Sequence, residues 1–350
     1  MNKKILIPII LILIIILVGL SCIYFYSNIS SEKLQSKVLE DNIEIEQPKI
    51  KTFTGNDRPI AVMIDNNTKA WPQASVNKAY IIYEIIVEGG ETRLMTLFKG
   101  SDADSIGPIR SSRHYFLDYA LENDAIYAHL GWSPQAQSDI SALRVNNING
   151  QAYDTGKART DSSLFWRSKK AKPHNAYTNI ESLLKISKKL GYRTTSTKES
   201  VLNYSIKNIE FDDFEDNAIL ANSVTIPYQG ANKIKYVYNG ETGKYEKYSK
   251  GKKQTDESTG EAFAAKNIII TFAKNYTLQD TENKGRQGLN NIGILDGYYL
   301  TNGKAIKIKC EKTSRTAQTN YLDENGNEIQ VNDGNTFINI CPINSKVTFE

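Results

Sequence analysis

The hydrophobic pattern divides the chain into three stretches. An apolar run of 22 residues occupies positions 5–26, a polar stretch covers residues 27–54, and densely patterned sequence begins at Arg58. As a helix, 22 residues rise about 33 Å, enough to cross a hydrocarbon core of about 30 Å. The pattern therefore predicts a membrane anchor at residues 1–26, a tether at residues 27–54 and a folded body after them.

Strand and helix patterns alternate in the first half of the body. Strands are predicted at residues 60–64, 79–88 and 92–98, with Gly89-Gly90 as a two-residue hairpin turn. Helices are predicted to begin at Ser111 or Ser112, at Ser133-Pro134, and at Thr178-Asn179. These elements predict an α/β domain at residues 55–204.

Short strands separated by turn clusters dominate the second half of the body. They are predicted at residues 224–227, 235–238, 267–272, 306–308 and 337–340. The pattern predicts a mostly β C-terminal domain at residues 205–350. The fold class is therefore α+β, with an N-terminal membrane helix, an α/β N-terminal domain and a mostly β C-terminal domain.

The flanks of the apolar run predict where the body lies. Lys3 and Lys4 favour a cytoplasmic N-terminus, which places the body outside the cytoplasmic membrane. Small residues before Cys22 are also typical of a bacterial lipoprotein signal, so lipidation of Cys22 is an alternative. The apolar region of a cleaved signal peptide has about 7–15 residues, and this run is longer. Its length favours an uncleaved helix.

Charge and histidine spacing exclude two classes of partner. The chain carries a net charge of +4, half of which belongs to Lys3 and Lys4. A near-neutral body predicts no nucleic-acid partner, because neutralised phosphates dominate such binding. None of the three histidines has the spacing of a helical zinc site, so we expect no metal and no cofactor.

The predicted hairpin gathers charged residues. A two-residue turn would place Glu84, Glu88, Glu91 and Arg93 on one face. Glu84 and Glu88 would lie about 13 Å apart, beyond the range of about 5–9.5 Å for a glycosidase pair. Two interpretations stay open for Glu84 and Arg93: a structural ion pair, or a polar site in which Arg93 holds an anion.

A second cluster precedes the first predicted helix. Arg110, Ser111 and Arg113 lie in residues 107–115, where exposed helix N–H groups would favour negative charge. The planar fork of an arginine matches a carboxylate or phosphate. These residues are candidates for anion binding, and the alternative is that the arginines bridge loops through backbone carbonyls.

Histidines supply the remaining candidates for chemistry. A histidine beside a carboxylate or hydroxyl can act as a general base. If the protein is an enzyme, the catalytic candidates are Glu84 or Glu88 with His129 or His174. Asn175, next to His174, is a further ligand-binding candidate; a buried, hydrogen-bonded loop role is the alternative for His174.

Two cysteines fall on predicted strands of the β domain. Outside the reducing cytoplasm, Cys310 and Cys341 could form a disulfide. Two separate buried thiols are the alternative.

The order of these motifs resembles the YerB-like lipoprotein family of Gram-positive bacteria. The matching segments are residues 58–66, 79–93, 107–115, 127–133 and 173–177, with Tyr245, Asp256, Thr259-Gly260, Asn267 and residues 323–326 in the second half. The resemblance implies a two-domain envelope protein of unknown activity, so no catalytic role is transferred. The chain departs from the family in its lipoprotein signal and at Cys310, where the family has tryptophan; the second departure favours the disulfide.

We predict a membrane-anchored extracytoplasmic envelope protein that binds an anionic or cell-wall ligand through its N-terminal domain. Arg, Glu, His and Trp are concentrated in residues 71–177 without a complete catalytic triad or metal motif. The alternatives are a cell-wall-acting hydrolase or lyase, and a scaffold for other envelope proteins.

Overall fold

The computed structural model describes residues 3–40, 49–211 and 218–350. It contains two compact units, Met1–Lys49 and Ile50–Glu350. In the first unit, helix α1 spans Lys3–Glu40. Its Ile12–Ser31 segment, of mean hydropathy 2.2, is long and apolar enough to cross a membrane. The predicted tether is helical as far as residue 40, and residues 41–48 lie outside the described part of the chain.

The second unit contains short helices and many strands. The helices are α2 (Phe116–Glu122), α3 (Pro134–Ala142) and α4 (Ile180–Lys189). The strands are β1 (Ile60–Asp65), β2 (Ile81–Ile86), β3 (Thr92–Phe98), β4 (Ile126–His129), β5 (Asn147–Asn149), β6 (Trp166–Arg167), β7 (Ala176–Tyr177), β8 (Tyr204–Ser205), β9 (Ile219–Leu220), β10 (Ser223–Gln229), β11 (Asn232–Asn239), β12 (Lys244–Ser249), β13 (Lys252–Lys253), β14 (Ala264–Ala265), β15 (Asn267–Thr277), β16 (Gln287–Asn290), β17 (Gly293–Thr301), β18 (Lys304–Lys312), β19 (Asn320–Leu322), β20 (Val331–Asn332), β21 (Thr336–Pro342) and β22 (Thr348–Phe349). The predicted α+β class is confirmed.

A mixed sheet of twelve strands runs through the described part of the second unit. Its main order is β19-β18-β17-β15-β21-β2-β3-β1-β4-β5, with β16 on β15 and β9 on β18. Strand β21 pairs in parallel with both β15 and β2, and so joins strands from the two halves of the chain. The domain boundary between residues 204 and 205 stays a prediction, and this sheet takes strands from both sides of it.

The central sheet is covered on both faces. Ile82 and Ile86 of β2 belong to one core together with Ile226 from the second sheet, whose order is β13-β12-β11-β10-β22. On the opposite face, Ile85 belongs to a core that includes Phe116 of α2. Burial on both faces explains why the strand sequence is almost continuously apolar.

Two of the three predicted helix starts are confirmed. Ser133 and Asn179 cap α3 and α4 by accepting hydrogen bonds from backbone N–H groups of the first turn. The third start, at Ser111 or Ser112, is wrong because Ser112 forms a β-bridge with Trp132, and α2 begins only at Phe116. Arg110 and Arg113 therefore do not lie at a helix N-terminus, as the predicted anion site required.

The predicted register of the β2–β3 hairpin is wrong by one residue. The connection contains residues 88–90, with both glycines at positive φ, and Ile85 pairs with Arg93. Glu84 instead pairs with Leu94. Because a shift of one residue moves a side chain to the other face of a sheet, Glu84 and Arg93 lie on opposite faces.

Of the two alternatives for Cys310 and Cys341, the structure has the separate buried thiols and not the disulfide. Strands β17 and β15 lie between the strands of the two cysteines, a separation of about 14 Å at the usual strand spacing. The side chains also belong to cores on opposite faces of the sheet. A disulfide requires Cα atoms within about 7 Å, so this pairing is geometrically excluded.

A buried ion pair connects the central sheet to the second sheet. Nζ of Lys247 lies 3.1 Å from Oε2 of Glu84, and both side chains are 0% exposed. Oε1 of Glu84 accepts hydrogen bonds from Asn66 (3.0 Å) and Thr92 (2.7 Å). Each charge depends on the other, because an isolated buried charge is strongly destabilising.

Replacement of Lys247 by Met is expected to lower the free energy of unfolding by about 3–5 kcal/mol, since it leaves the Glu84 carboxylate without its cation. Adding Glu84→Gln should recover part of that loss. Lys253→Met, which breaks the more exposed pair with Glu246, is the control and should have little effect. Urea unfolding measures all three variants, and equal effects of Lys247→Met and Lys253→Met would contradict this role.

Candidate functional site

A cleft of about 460 Å³ opens where β1 ends and β2 turns into β3. Both halves of the chain contribute to its lining. The lining residues are Asp65, Asn67, Val87, Glu88, Glu91, Thr92, Arg93, Arg110, Ser111, Arg113, Trp132, Ser133, His174, Lys284 and Arg286.

Asp65 organises one side of the cleft from the last position of β1. Its Oδ1 accepts a hydrogen bond from the backbone N–H of Asn67 at 3.0 Å. Its Oδ2 lies 2.7 Å from Nδ1 of His174 and 3.1 Å from Nε of Arg110. The carboxylate thus orients the imidazole and guanidinium groups that meet at it.

Glu88 and Arg113 form a bidentate pair on the opposite side. Nε and Nη2 of Arg113 donate to the two oxygens of Glu88 at 2.5 and 2.9 Å. Burial by itself would raise the pKa of Glu88, but the hydrogen bonds and charge of Arg113 hold that pKa below its usual value. The carboxylate is therefore ionised at neutral pH.

Arg93 lies between these pairs and has little negative charge close to it. Its Nη1 donates to the backbone carbonyl of Ser111, and its Nη2 lies 4.0 Å from the nearest oxygen of Glu88. Burial, then the positive charges of Arg113 and Arg110, lower the pKa of Arg93 to about 10. The three guanidinium groups are therefore close enough to destabilise one another's charge.

The groups of the cleft that lack a hydrogen-bond partner are nitrogens, whereas the carboxylate oxygens are occupied. Every oxygen of Asp65 and Glu88 has a protein partner, and both oxygens of Glu91 accept from Lys250 at 2.7 and 2.8 Å. Among the described residues, nothing accepts from the terminal nitrogens of Arg110 or from Nε1 of Trp132, and Nε2 of His174 has no partner. A ligand rich in acceptor oxygens would complete this arrangement.

No set of three or more His, Cys, Asp or Glu side chains within residues 3–40, 49–211 and 218–350 is arranged to hold a metal ion. The donors of the cleft wall are cationic or neutral nitrogens, which are suited to an anion and not to a cation.

The structure gathers six of the candidate residues predicted from sequence and separates three others from them. Those in the cleft lining are Glu88, Arg93, Arg110, Ser111, Arg113 and His174. Glu84 is buried against Lys247 outside the lining, and Asn175 accepts a hydrogen bond from Arg167 at 3.0 Å. The contacts of Glu84 and Asn175 are therefore structural ones, made outside the cleft lining.

His129, the remaining catalytic candidate, is buried behind the cleft wall. Its Nδ1 lies 2.8 Å from the carbonyl oxygen of Gly131, and its ring packs against Tyr127 and Trp132. Burial, the largest cause, lowers the pKa of His129 to about 4, although its hydrogen bonds act in the opposite direction. Its contacts support the indole of Trp132.

Sequence reasoning missed several residues of the cleft. Asp65 follows a predicted strand directly, a position from which a side chain can enter a site, and that pattern could have identified it. Lys284 and Arg286 carried no such indication, because they lie in the connection between β15 and β16, far away in sequence. Arg286 is held there by ion pairs with Asp280 and Glu282.

The fold and the cleft define an α+β protein with an N-terminal apolar helix and a donor-lined cleft in its body. The chain matches the description "Protein of unknown function (DUF3048) N-terminal domain" over residues 47–193 and the corresponding C-terminal domain over residues 224–338. It therefore belongs to the DUF3048 family and has its two-domain architecture.

A relative from Bacillus subtilis (strain 168) supports the same assignment. The chain is 28% identical over 305 residues to a protein described as "Putative lipoprotein YerB", with 81% of each chain covered. The crystal structure of the YerB protein from Bacillus subtilis matches with a TM-score of 0.71 and 27% identity, over 84% of this chain and 94% of that one. The resemblance to the YerB-like family is confirmed.

His129 should make stability depend on pH. Its folded-state pKa of about 4 lies below the ordinary value of 6.5, so the unfolded chain binds its proton first as the pH falls. Relative to His129→Gln, the wild type should lose about 3 kcal/mol of unfolding free energy between pH 7 and pH 4. Urea unfolding at several pH values measures this difference, and parallel curves would contradict it.

Proposed function

We propose that this protein is a membrane-anchored envelope protein whose body lies outside the cytoplasmic membrane and binds an oxyanion of the cell wall in the cleft. One observation carries the proposal: the carboxylate oxygens of the lining are occupied, while the terminal N–H groups of Arg110 lack acceptors among the described residues. An oxyanion supplies the missing acceptors.

The charge of the lining favours the same class of ligand. Three arginines, Arg93, Arg110 and Arg113, share the two carboxylates of Asp65 and Glu88. One positive charge of this group is therefore uncompensated in a partly enclosed space, where charge interactions are stronger than in bulk water. An anion entering the cleft would relieve the mutual repulsion of the guanidinium groups.

The N-terminal helix supports the location. Its Ile12–Ser31 segment is long and apolar enough to cross a membrane, and basic Lys3 and Lys4 precede that segment, which favours a cytoplasmic N-terminus. The word "lipoprotein" in the name of the relative supports membrane association, and lipidation of Cys22 is the second way to anchor the body. A body on the outer side of the cytoplasmic membrane would face the cell wall.

Arg110→Gln is expected to weaken the binding of inorganic phosphate at least about tenfold, because it removes charged donors at a cost of about 1.4 kcal/mol or more. Isothermal titration calorimetry on the full-length protein in nonionic detergent at low salt measures the affinity. Thermal unfolding of the same samples shows whether the variant is folded.

Arg159→Gln is the matched control, since Arg159 pairs with Asp104 on the surface and does not line the cleft. It should bind phosphate as the wild type does. If Arg110→Gln instead unfolds at a much lower temperature yet keeps its phosphate affinity, Arg110 is a structural bracket and the proposal is overturned.

A second candidate function is hydrolysis of the bound ligand, and the Asp65–His174 pair favours it. Nδ1 of His174 lies 2.7 Å from Oδ2 of Asp65, while Nε2 has no protein partner among the described residues. In this candidate, Nε2 removes a proton from an attacking water molecule, and Asp65 stabilises the imidazolium that forms. Glu88 is a weaker candidate base because Arg113 occupies both of its oxygens.

Isolated Gram-positive cell walls distinguish the candidates. The full-length protein in nonionic detergent is mixed with walls, the walls are sedimented, and the supernatant is analysed by mass spectrometry. Bound protein without released fragments is expected for a binding protein. Fragments that disappear with His174→Asn would establish the hydrolase, and absence of both binding and fragments would direct the search to envelope-protein partners.

A further inference from the structure

Trp132 forms an aromatic wall of the cleft. It lies in the same lining as Arg93, Arg110 and Arg113, which we call the arginine floor. The indole lines the cleft and is only half-buried. The ring of His129 supports it from behind, with 5.5 Å between ring centroids. A half-buried indole that keeps its N–H unpartnered suits a ligand with both an apolar face and a polar edge.

The arginines of the floor lie on separate segments of the chain. Arg93 lies on β3, Arg110 lies in the segment before α2, and both guanidinium groups line the cleft. Donors that approach from several directions suit a tetrahedral group with three acceptor oxygens better than a planar carboxylate with two. A phosphate ester offers three oxygens as a monoester and two as a diester, and carries one to two negative charges.

Polar groups around the cleft can serve a ligand that carries hydroxyl groups. The side-chain N–H₂ of Asn67 has no acceptor among the described residues, and Oγ of Ser133 accepts one hydrogen bond and retains its own proton. Glu91 is about one-third exposed, and its oxygens keep lone pairs beyond those used by Lys250. These groups are therefore matched to the edges of a polyhydroxylated ring.

We propose that the cleft binds a phosphorylated sugar, with the phosphate on the arginine floor and the sugar ring against Trp132. This inference rests on the proposed function, since it names the chemical class of the oxyanion. The same chemistry occurs in a free sugar phosphate and in the phosphodiester-linked repeats of a polymer. The phosphate charge supplies affinity, and the ring contact supplies selectivity.

The test compares four probes on the full-length protein in nonionic detergent: inorganic phosphate, glucose 1-phosphate, a glycerol–phosphate–glucose diester and glucose. Calorimetry is performed on the wild type, Trp132→Leu and Trp71→Leu. Trp71→Leu is the matched control, because Trp71 makes its hydrogen bond to Asn66 and does not line the cleft. Thermal unfolding verifies that each variant is folded.

The wild type and Trp71→Leu are expected to bind a sugar phosphate about tenfold more tightly than inorganic phosphate, which is the size expected from one well-packed ring contact. Trp132→Leu should lose most of that preference and keep its affinity for inorganic phosphate within about twofold. Tighter binding of the monoester would indicate a free metabolite, and tighter binding of the diester would indicate a polymer.

Two results overturn the inference in different ways. Equal affinity of the wild type for inorganic phosphate and both sugar phosphates would remove the sugar subsite and leave the oxyanion function standing. Absence of binding by all three phosphates would reject the oxyanion function and this inference together. Binding of glucose as tight as that of glucose 1-phosphate would show that the arginine floor does not hold the phosphate.

Discussion

The parallel pairing of β21 with β2 is the constraint on which the rest of the body depends. It places a strand from the end of the chain against the first hairpin, and β15 and its neighbours continue the sheet beyond it. The second sheet then packs on the same strands: Tyr236 donates a hydrogen bond to Asn339 of β21, and Lys247 meets Glu84 of β2. Long-range pairing of this kind makes the two halves one compact unit.

The cleft follows from where the strands of this sheet end. Asp65 at the end of β1 and the three-residue connection after β2 stand side by side, because β1 and β2 both pair with β3. The segment that carries Arg110 crosses beside them and donates a backbone hydrogen bond to the carbonyl of Met63. Strands thus position Asp65 and Arg93, and irregular connections supply Glu88, Arg110 and Arg113.

The electrostatics of the cleft depend on how few carboxylates its arginines share and on how deeply Arg93 is buried. The carboxylate of Asp65 contacts Arg110 and His174, and the carboxylate of Glu88 is paired with Arg113. The guanidinium of Arg93 lies 4.0 Å from the nearest oxygen of Glu88. Burial, followed by the positive charges of Arg113 and Arg110, lowers the pKa of Arg93. A cluster of like charges of this kind costs stability, which is typical of functional sites.

The sequence by itself determined the elements and the family. Apolar runs predicted α1 and β1, Ser133 predicted the start of α3, and the motif order predicted the relatives, because these depend on local pattern. The strand register, and the contacts between residues that are distant in sequence, could be known only from the tertiary structure. A single extra residue in the hairpin connection moved Glu84 away from Arg93, and the strand order kept the two thiols apart. Only the fold could bring Asp65 to His174, since a contact across 109 positions leaves no periodic trace in sequence.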